Sequence, residues 1–202
     1  MFDEIDVYSS LNVNYIPSDG KYRVKVKCSD NIMDLISVQN NSETLNLSFK
    51  KDVNVRYNTL DITVYAPTLE TLWVEGSGSA NLSEGISADE LKLEVSGSGK
   101  IHGMGIKAKD IEMKVMGSGN IKLADLTTEE LEAEIAGSGD IALAGTAKRA
   151  EYNISGSGNI ESSAMIANNG NATISGSGNL RCNVAQLSQS IAGSGKVHNR
   201  YK

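Results

Sequence analysis

Two prolines, two cysteines, two histidines and one tryptophan are all that the 202 residues hold of those types. Cys28 and Cys182 lie far apart and in unlike segments. That placement argues against a disulfide framework or a cysteine-rich metal centre, and both read as small core hydrophobes. His102 and His198 each lack a second histidine or cysteine nearby, so no metal site is expected. Aromatics make up 5% of the chain while glycines number 20. Large side chains therefore do not fill the interior, and a tightly wound, backbone-dominated architecture is expected. No apolar run is long enough for a membrane span, and the opening MFDEIDVYSS lacks the basic and apolar regions of a signal peptide. Either the protein is intracellular or the sequence is a mature segment whose leader was removed. The net charge is −6, with basic residues scattered singly, as at Lys21, Lys25 and Lys27. That pattern disfavours nucleic acid and anionic lipid as partners.

What is abundant is one tripeptide. Gly-Ser-Gly occurs at Gly76 to Gly78, Gly97 to Gly99, Gly117 to Gly119, Gly137 to Gly139, Gly156 to Gly158, Gly176 to Gly178 and Gly193 to Gly195, in steps of 21, 20, 20, 19, 20 and 17. A period near 20 indicates a solenoid. Alternation identifies its kind. Leu91, Leu93, Val95, Gly97, Gly99 and Ile101 share one parity, against Lys92, Glu94, Ser96, Ser98, Lys100 and His102 on the other. The next repeat does the same from Ile111 to Leu123. Period two means strands. A second inward column is expected at Ile86, Ile106, Leu126 and Ile166, so each turn has more than one inward-facing side. Leucine-rich and helical repeats need other spacings. The fold class expected is all-β, a parallel β-helix with about 20 residues per turn and about seven turns over residues 69–202.

In this frame both glycines of each tripeptide fall on the inward parity, needed for a bend with positive φ or for walls too close for a Cβ. The serines between them and the polar residues after them make stacked ladders. Residues 1–68 lack the tripeptide but alternate in several stretches, such as Tyr22 to Cys28 and Leu60 to Val64. They are expected to form a strand-rich cap continuous with the solenoid, with one short helix over 30–36 capped by Asp30. The other end is barer. Only Lys196 to Lys202 follow the last tripeptide, so that turn is capped by charges or meets another copy of the chain.

Motifs for chemistry are weak. Neither a P-loop nor a dinucleotide fingerprint surrounds any tripeptide, and no cofactor is expected. Polysaccharide-active β-helices need two or three converging carboxylates. The outward column Glu94, Lys114, Glu134, Asn153 alternates in type, and Asp140 is the one acid in its ladder. Serine recurs too regularly for a unique nucleophile. The candidate binding face comprises Trp73 with Ser118, Asn120, Ser138, Asp140, Ser157, Asn159, Ser177 and Asn179.

The opening Phe2 to Val7, the Asn12-Val13 strand, the 30–36 segment, Ala66-Pro67-Thr68-Leu69 and the recurring [VI]-x-G-S-G-[ND]-[IL] together resemble the putative auto-transporter adhesin, head GIN domain family of Bacteroidetes. The resemblance spans nearly the whole chain. It implies a β-helical protein exported to the periplasm or cell surface, normally made with a leader. It implies no catalytic residues. The expected function is a non-catalytic adhesin or binding module whose partner is a surface glycan or a protein. The alternatives are a polysaccharide-active enzyme and a module that self-associates end to end.

Overall fold

The computed structural model describes residues 1–50 and 59–201. It is a parallel β-solenoid with about 20 residues per turn and almost no helix. The first strands are β1 (Glu4–Ser9), β2 (Asn12–Pro17), β3 (Arg23–Cys28), β4 (Ile36–Asn41), β5 (Thr44–Phe49) and β6 (Leu60–Ala66). The regular turns use β7 (Thr71–Gly76), β8 (Ser79–Leu82), β9 (Ser87–Gly97), β10 (Lys100–Met104) and β11 (Lys107–Gly117). In β12 (Asn120–Gly137), β13 (Asp140–Gly156), β14 (Asn159–Gly176) and β15 (Asn179–Gly193) one continuous strand runs round a corner before the next tripeptide. The chain finishes in β16 (Lys196–Asn199).

Each turn has three walls. The first ends in the tripeptide, the second follows it, and the third carries the polar stretches between repeats. Parity is kept because turns stack in register, and the seven first glycines align as Gly76, Gly97, Gly117, Gly137, Gly156, Gly176 and Gly193. On the first wall Val7, Val74, Val95, Val115, Ile135, Ile154, Ile174 and Ile191 form one inner column. The second wall aligns Val13, Ala80, Ile101, Ile121, Ile141, Ile160, Leu180 and Val197. Burying one such aliphatic side chain contributes about 1.5–3 kcal/mol, but only when a turn lies above and below it. Tyr152 is the largest side chain inside the regular turns, and its stacked neighbours are Ala133 and Ala172. Small residues above and below make room for the ring, whose hydroxyl crosses the core to Ser162 Oγ at 2.8 Å.

Several expectations shift. The third-wall column holds Ile86, Ile106 and Leu126 as predicted, but Ile166 is 52% exposed and Met165 takes the inner place. Met165 stacks on Gly145, which stacks on Leu126. Slack in repeat length is absorbed here, through register shifts between Leu123 and Leu126 and between Ser162 and Ile166, so counting parity across the corner slips by one. The same device explains the 17-residue step. Ser162 pairs with Cys182 and Ile166 with Asn183, so the corner residues Ser163, Ala164 and Met165 have no counterpart and Gly176 still meets Gly193. Residues 30–35 form a 3₁₀ helix whose N-cap is Ser29, so Asp30 lies in the first turn and is not the cap. Cys182 is buried, whereas Cys28 is only half-buried, its Sγ 3.8 Å from Met33 Sδ.

The N-terminal strands form a turn out of chain order. β1 lies between β5 and β7, and β2 between β6 and β8, all parallel. β4 and β3 then pair antiparallel to β5 and β6 on the outside.

Candidate functional site: the tripeptide corner and its polar ladders

The two glycines of each tripeptide have different duties. The first glycines hold φ between 110° and 137°, a left-handed region that side chains strain to enter. The second glycines have no positive φ, but their space is taken. A Cβ on Gly119 would sit inside the van der Waals shell of Val95 Cγ1 and 2.7 Å from the Gly99 carbonyl oxygen. The first glycine therefore carries both the bend and a close approach, since a Cβ on Gly117 would lie 2.6 Å from the Gly97 oxygen, whereas the second is required by close approach alone. Parity placed both inside, yet Gly97 and Gly193 are exposed and Gly99, Gly119, Gly139, Gly158 and Gly178 are buried. Each corner is tied to the one beside it: the Ser118 N–H donates to the Gly97 oxygen, and the Ser138 N–H to the Gly117 oxygen, both at 2.8 Å.

This geometry turns the serines outward. Ser118, Ser138, Ser157 and Ser177 are exposed, and their hydroxyls make no hydrogen bond among the described residues. Beside them runs the ladder Asn12, Ser79, Lys100, Asn120, Asp140, Asn159, Asn179 and Lys196. Part of it is joined to itself. Asn159 Nδ2 donates to Asp140 Oδ1 at 3.0 Å, and Asn179 Nδ2 donates to Asn159 Oδ1 at 3.0 Å. The amides are thereby held in one orientation, each with capacity left for a contact from outside.

Trp73 stands apart from these ladders. It lies on the outer face of the first wall between Asp6 and Glu94. Its ring is edge-on to Tyr8, with centroids 5.7 Å apart, and its Nε1 is buried with no hydrogen-bond partner. The Asp6 carboxyl next to it is raised above its usual range by burial.

Two further features needed all rows aligned at once. Next to the second-wall ladder a groove of about 310 Å³ is lined by Asn159, Glu161, Asn179, Arg181, Lys196 and His198. Burial pushes the Glu161 pKa up, but hydrogen bonds from Ser163 and Arg181 outweigh that and hold the carboxyl below its usual range. On the first wall, Glu112, Glu132 and Glu151 stack as three carboxylates, one column beside the alternating Glu94, Lys114, Glu134, Asn153 set. Burial, followed by repulsion from Glu151 and Glu112, raises Glu132. The depression over this trio measures about 190 Å³, below the roughly 300 Å³ at which ligand pockets begin. Lys92 reaches Glu112 at 3.7 Å and Glu94 at 3.0 Å, and Lys114 reaches Glu134 at 3.0 Å, so ion pairs tie carboxylates of both columns to neighbouring lysines. No cluster of side chains suited to a metal occurs among the described residues.

The model of the family described as "putative auto-transporter adhesin, head GIN domain" matches residues 1–125 and 103–200. The chain belongs to this family. Solved structures share its course over 98% of the chain. One, from Parabacteroides distasonis, is described as a "putative lipid binding protein" and is 26% identical over 92% of its own length, with a TM-score of 0.87. A "putative adhesin" from the same species is 22% identical with a TM-score of 0.85, likewise over 92% of its length. Another, from Bacteroides fragilis, is 29% identical over 92% of its length with a TM-score of 0.71. Comparison with curated proteins found no match. No helix among the described residues is long and apolar enough to cross a membrane.

Proposed function

We propose that this chain is a non-catalytic binding module, exported to the periplasm or cell surface, that holds a surface glycan or protein through the outward ladders at its tripeptide corner. The observation that carries this reading is the row Ser118, Ser138, Ser157 and Ser177, exposed and without hydroxyl hydrogen bonds among the described residues, beside the pre-oriented amides of Asn159 and Asn179. Turns about 4.8 Å apart present hydroxyl and amide groups at a fixed repeat. Many weak contacts on a rigid wall then add up through repetition. Membership of the adhesin family supports both the binding role and the exported location.

The test is retention of the folded protein on an array of bacterial and host glycans and matrix proteins, with zwitterionic and anionic lipid vesicles as a second arm because one relative is described as lipid-binding. The expected result is retention on glycan or protein spots that a Ser118→Ala/Ser138→Ala/Ser157→Ala/Ser177→Ala variant loses. Retention that the variant keeps, or binding to vesicles alone, would overturn the reading. Release of sugar products lost on Glu132→Gln would instead favour the enzyme alternative.

A further inference from the structure

The last turn leaves each of its three walls in a different state. On the third wall the exposed edge is closed by a side chain: Asn199 Oδ1 accepts from the Val184 N–H at 3.0 Å, and Asn199 Nδ2 donates to the Val184 oxygen at 2.8 Å. The amide does there what a further strand would do. The second wall ends on β16, whose edge carries Lys196 and His198 and runs on into Arg200, the kind of charge that deters pairing. The first wall has neither device. From Cys182 to Gly195 the chain holds no charge and no proline, and among the described residues the edge from Gln186 to Gly193 pairs only inward, with β14. Among the described residues nothing covers the core above it: Ile191 is 41% exposed, and Leu187 and Val197 are only partly buried. An uncharged edge strand with apolar residues on its inner face is what natural sheets avoid unless something pairs with it.

The sequence of that edge says what fits. Leu187-Ser188-Gln189-Ser190-Ile191 reads nearly the same in both directions. Leu187, Gln189 and Ile191 continue the inward parity of Gly170, Ala172 and Ile174, and Ser188 and Ser190 continue the outward parity of Asn171 and Thr173. We propose that a second copy of this chain pairs with this edge, antiparallel and centred on Gln189, to make a two-fold tail-to-tail dimer. In that register Leu187 meets Ile191 of the partner subunit, Gln189 meets itself, and Ser188 meets Ser190 of the partner subunit. Leu187 and Ile191 face the joined cores, the two Gln189 amides meet each other between them, and the hydroxyls face solvent. Such a contact is self-complementary and closed, as a two-fold interface requires. The solenoid already ends this way at its other end, where β3 and β4 lie antiparallel on β6 and β5.

The experiment is sedimentation velocity on the full chain over a thousandfold range of concentration, with circular dichroism to confirm that each variant folds. The unmodified chain is expected to form a dimer and nothing larger. Ser188→Lys/Ser190→Lys puts like charges directly opposite one another twice, on an outward face where the fold is indifferent, and should weaken dimerisation by about tenfold or more. Ser188→Lys/Ser190→Glu puts opposite charges at the same positions and should restore it. A chain that stays monomeric throughout, one that forms open-ended chains, or a dimer indifferent to the double lysine overturns the proposal. So does equal disruption by both variants, because the antiparallel register would then be wrong.

Discussion

The two ends of the solenoid meet the same problem differently. At the N-terminal end, Val7 stacks between Leu47 and Val74 and is 1% exposed. The first turn is enclosed because the chain leaves it, lays strands outside it and returns. At the C-terminal end Ile191, the last residue of the same column, has Ile174 on one side only and is 41% exposed. Identical chemistry in one column thus has unequal worth, set by whether a turn lies on both sides.

The sharpest way to break this comparison is to put one charge at each end. Val7→Asp should cost on the order of 4 kcal/mol or more, since the carboxylate has no water and no partner there. Ile191→Asp, measured in dilute protein, should cost about 1 kcal/mol or less. Denaturant melts check this, and equal losses would mean that the two ends are equally open.

A smaller effect comes from pH. Burial pushes both Tyr15 and Tyr152 up to about 12. Tyr15 donates to the Ala66 oxygen at 3.0 Å in the first turn, and Tyr152 lies mid-stack. Unfolded tyrosine releases its proton near pH 10 and the folded state holds it longer. The stabilisation is therefore complete below about pH 10 and lost as pH rises towards about 12, on the order of 2 kcal/mol for Tyr152. Difference absorbance titrations of Tyr15→Phe and Tyr152→Phe against the parent should both show late ionisation. A Tyr15 that titrated near 10 would show an unsealed first turn.

The mildest effect is at the open end itself. Asn199→Ala removes both bonds to Val184 and should ease local opening there by about 1–2 kcal/mol, read as faster hydrogen exchange at the Val184 amide with melting nearly unchanged.

The repeat, its strands and the inward columns were legible in the sequence because parity within a straight strand cannot drift. The errors fall where the backbone is not straight. Ile166 was misplaced because a register shift lies before it. The first corner was missed because Ser9, Ser10 and Leu11 stand where later turns have Gly-Ser-Gly: Ser9 aligns with Gly76, has φ 68° and supplies the positive-φ turn without a glycine. The two glycines of a tripeptide look alike in sequence, and only the neighbouring turn shows that the first combines bend with close approach while the second is required by close approach alone. Of the candidate face, the ladders could be read from position alone, whereas the Glu112, Glu132 and Glu151 trio required aligning a column that one repeat at a time conceals.

Adjacent residues of one tripeptide have opposite duties: Gly119 packs against Val95 and the Gly99 carbonyl, while Ser118 faces water. Thermal and denaturant melts of Gly119→Ala and Ser118→Ala, side by side, test this division most directly. The expected result is a loss of about 2 kcal/mol or more for the glycine and a change within about 0.5 kcal/mol for the serine. Equal losses, or a larger one for Ser118→Ala, would contradict it.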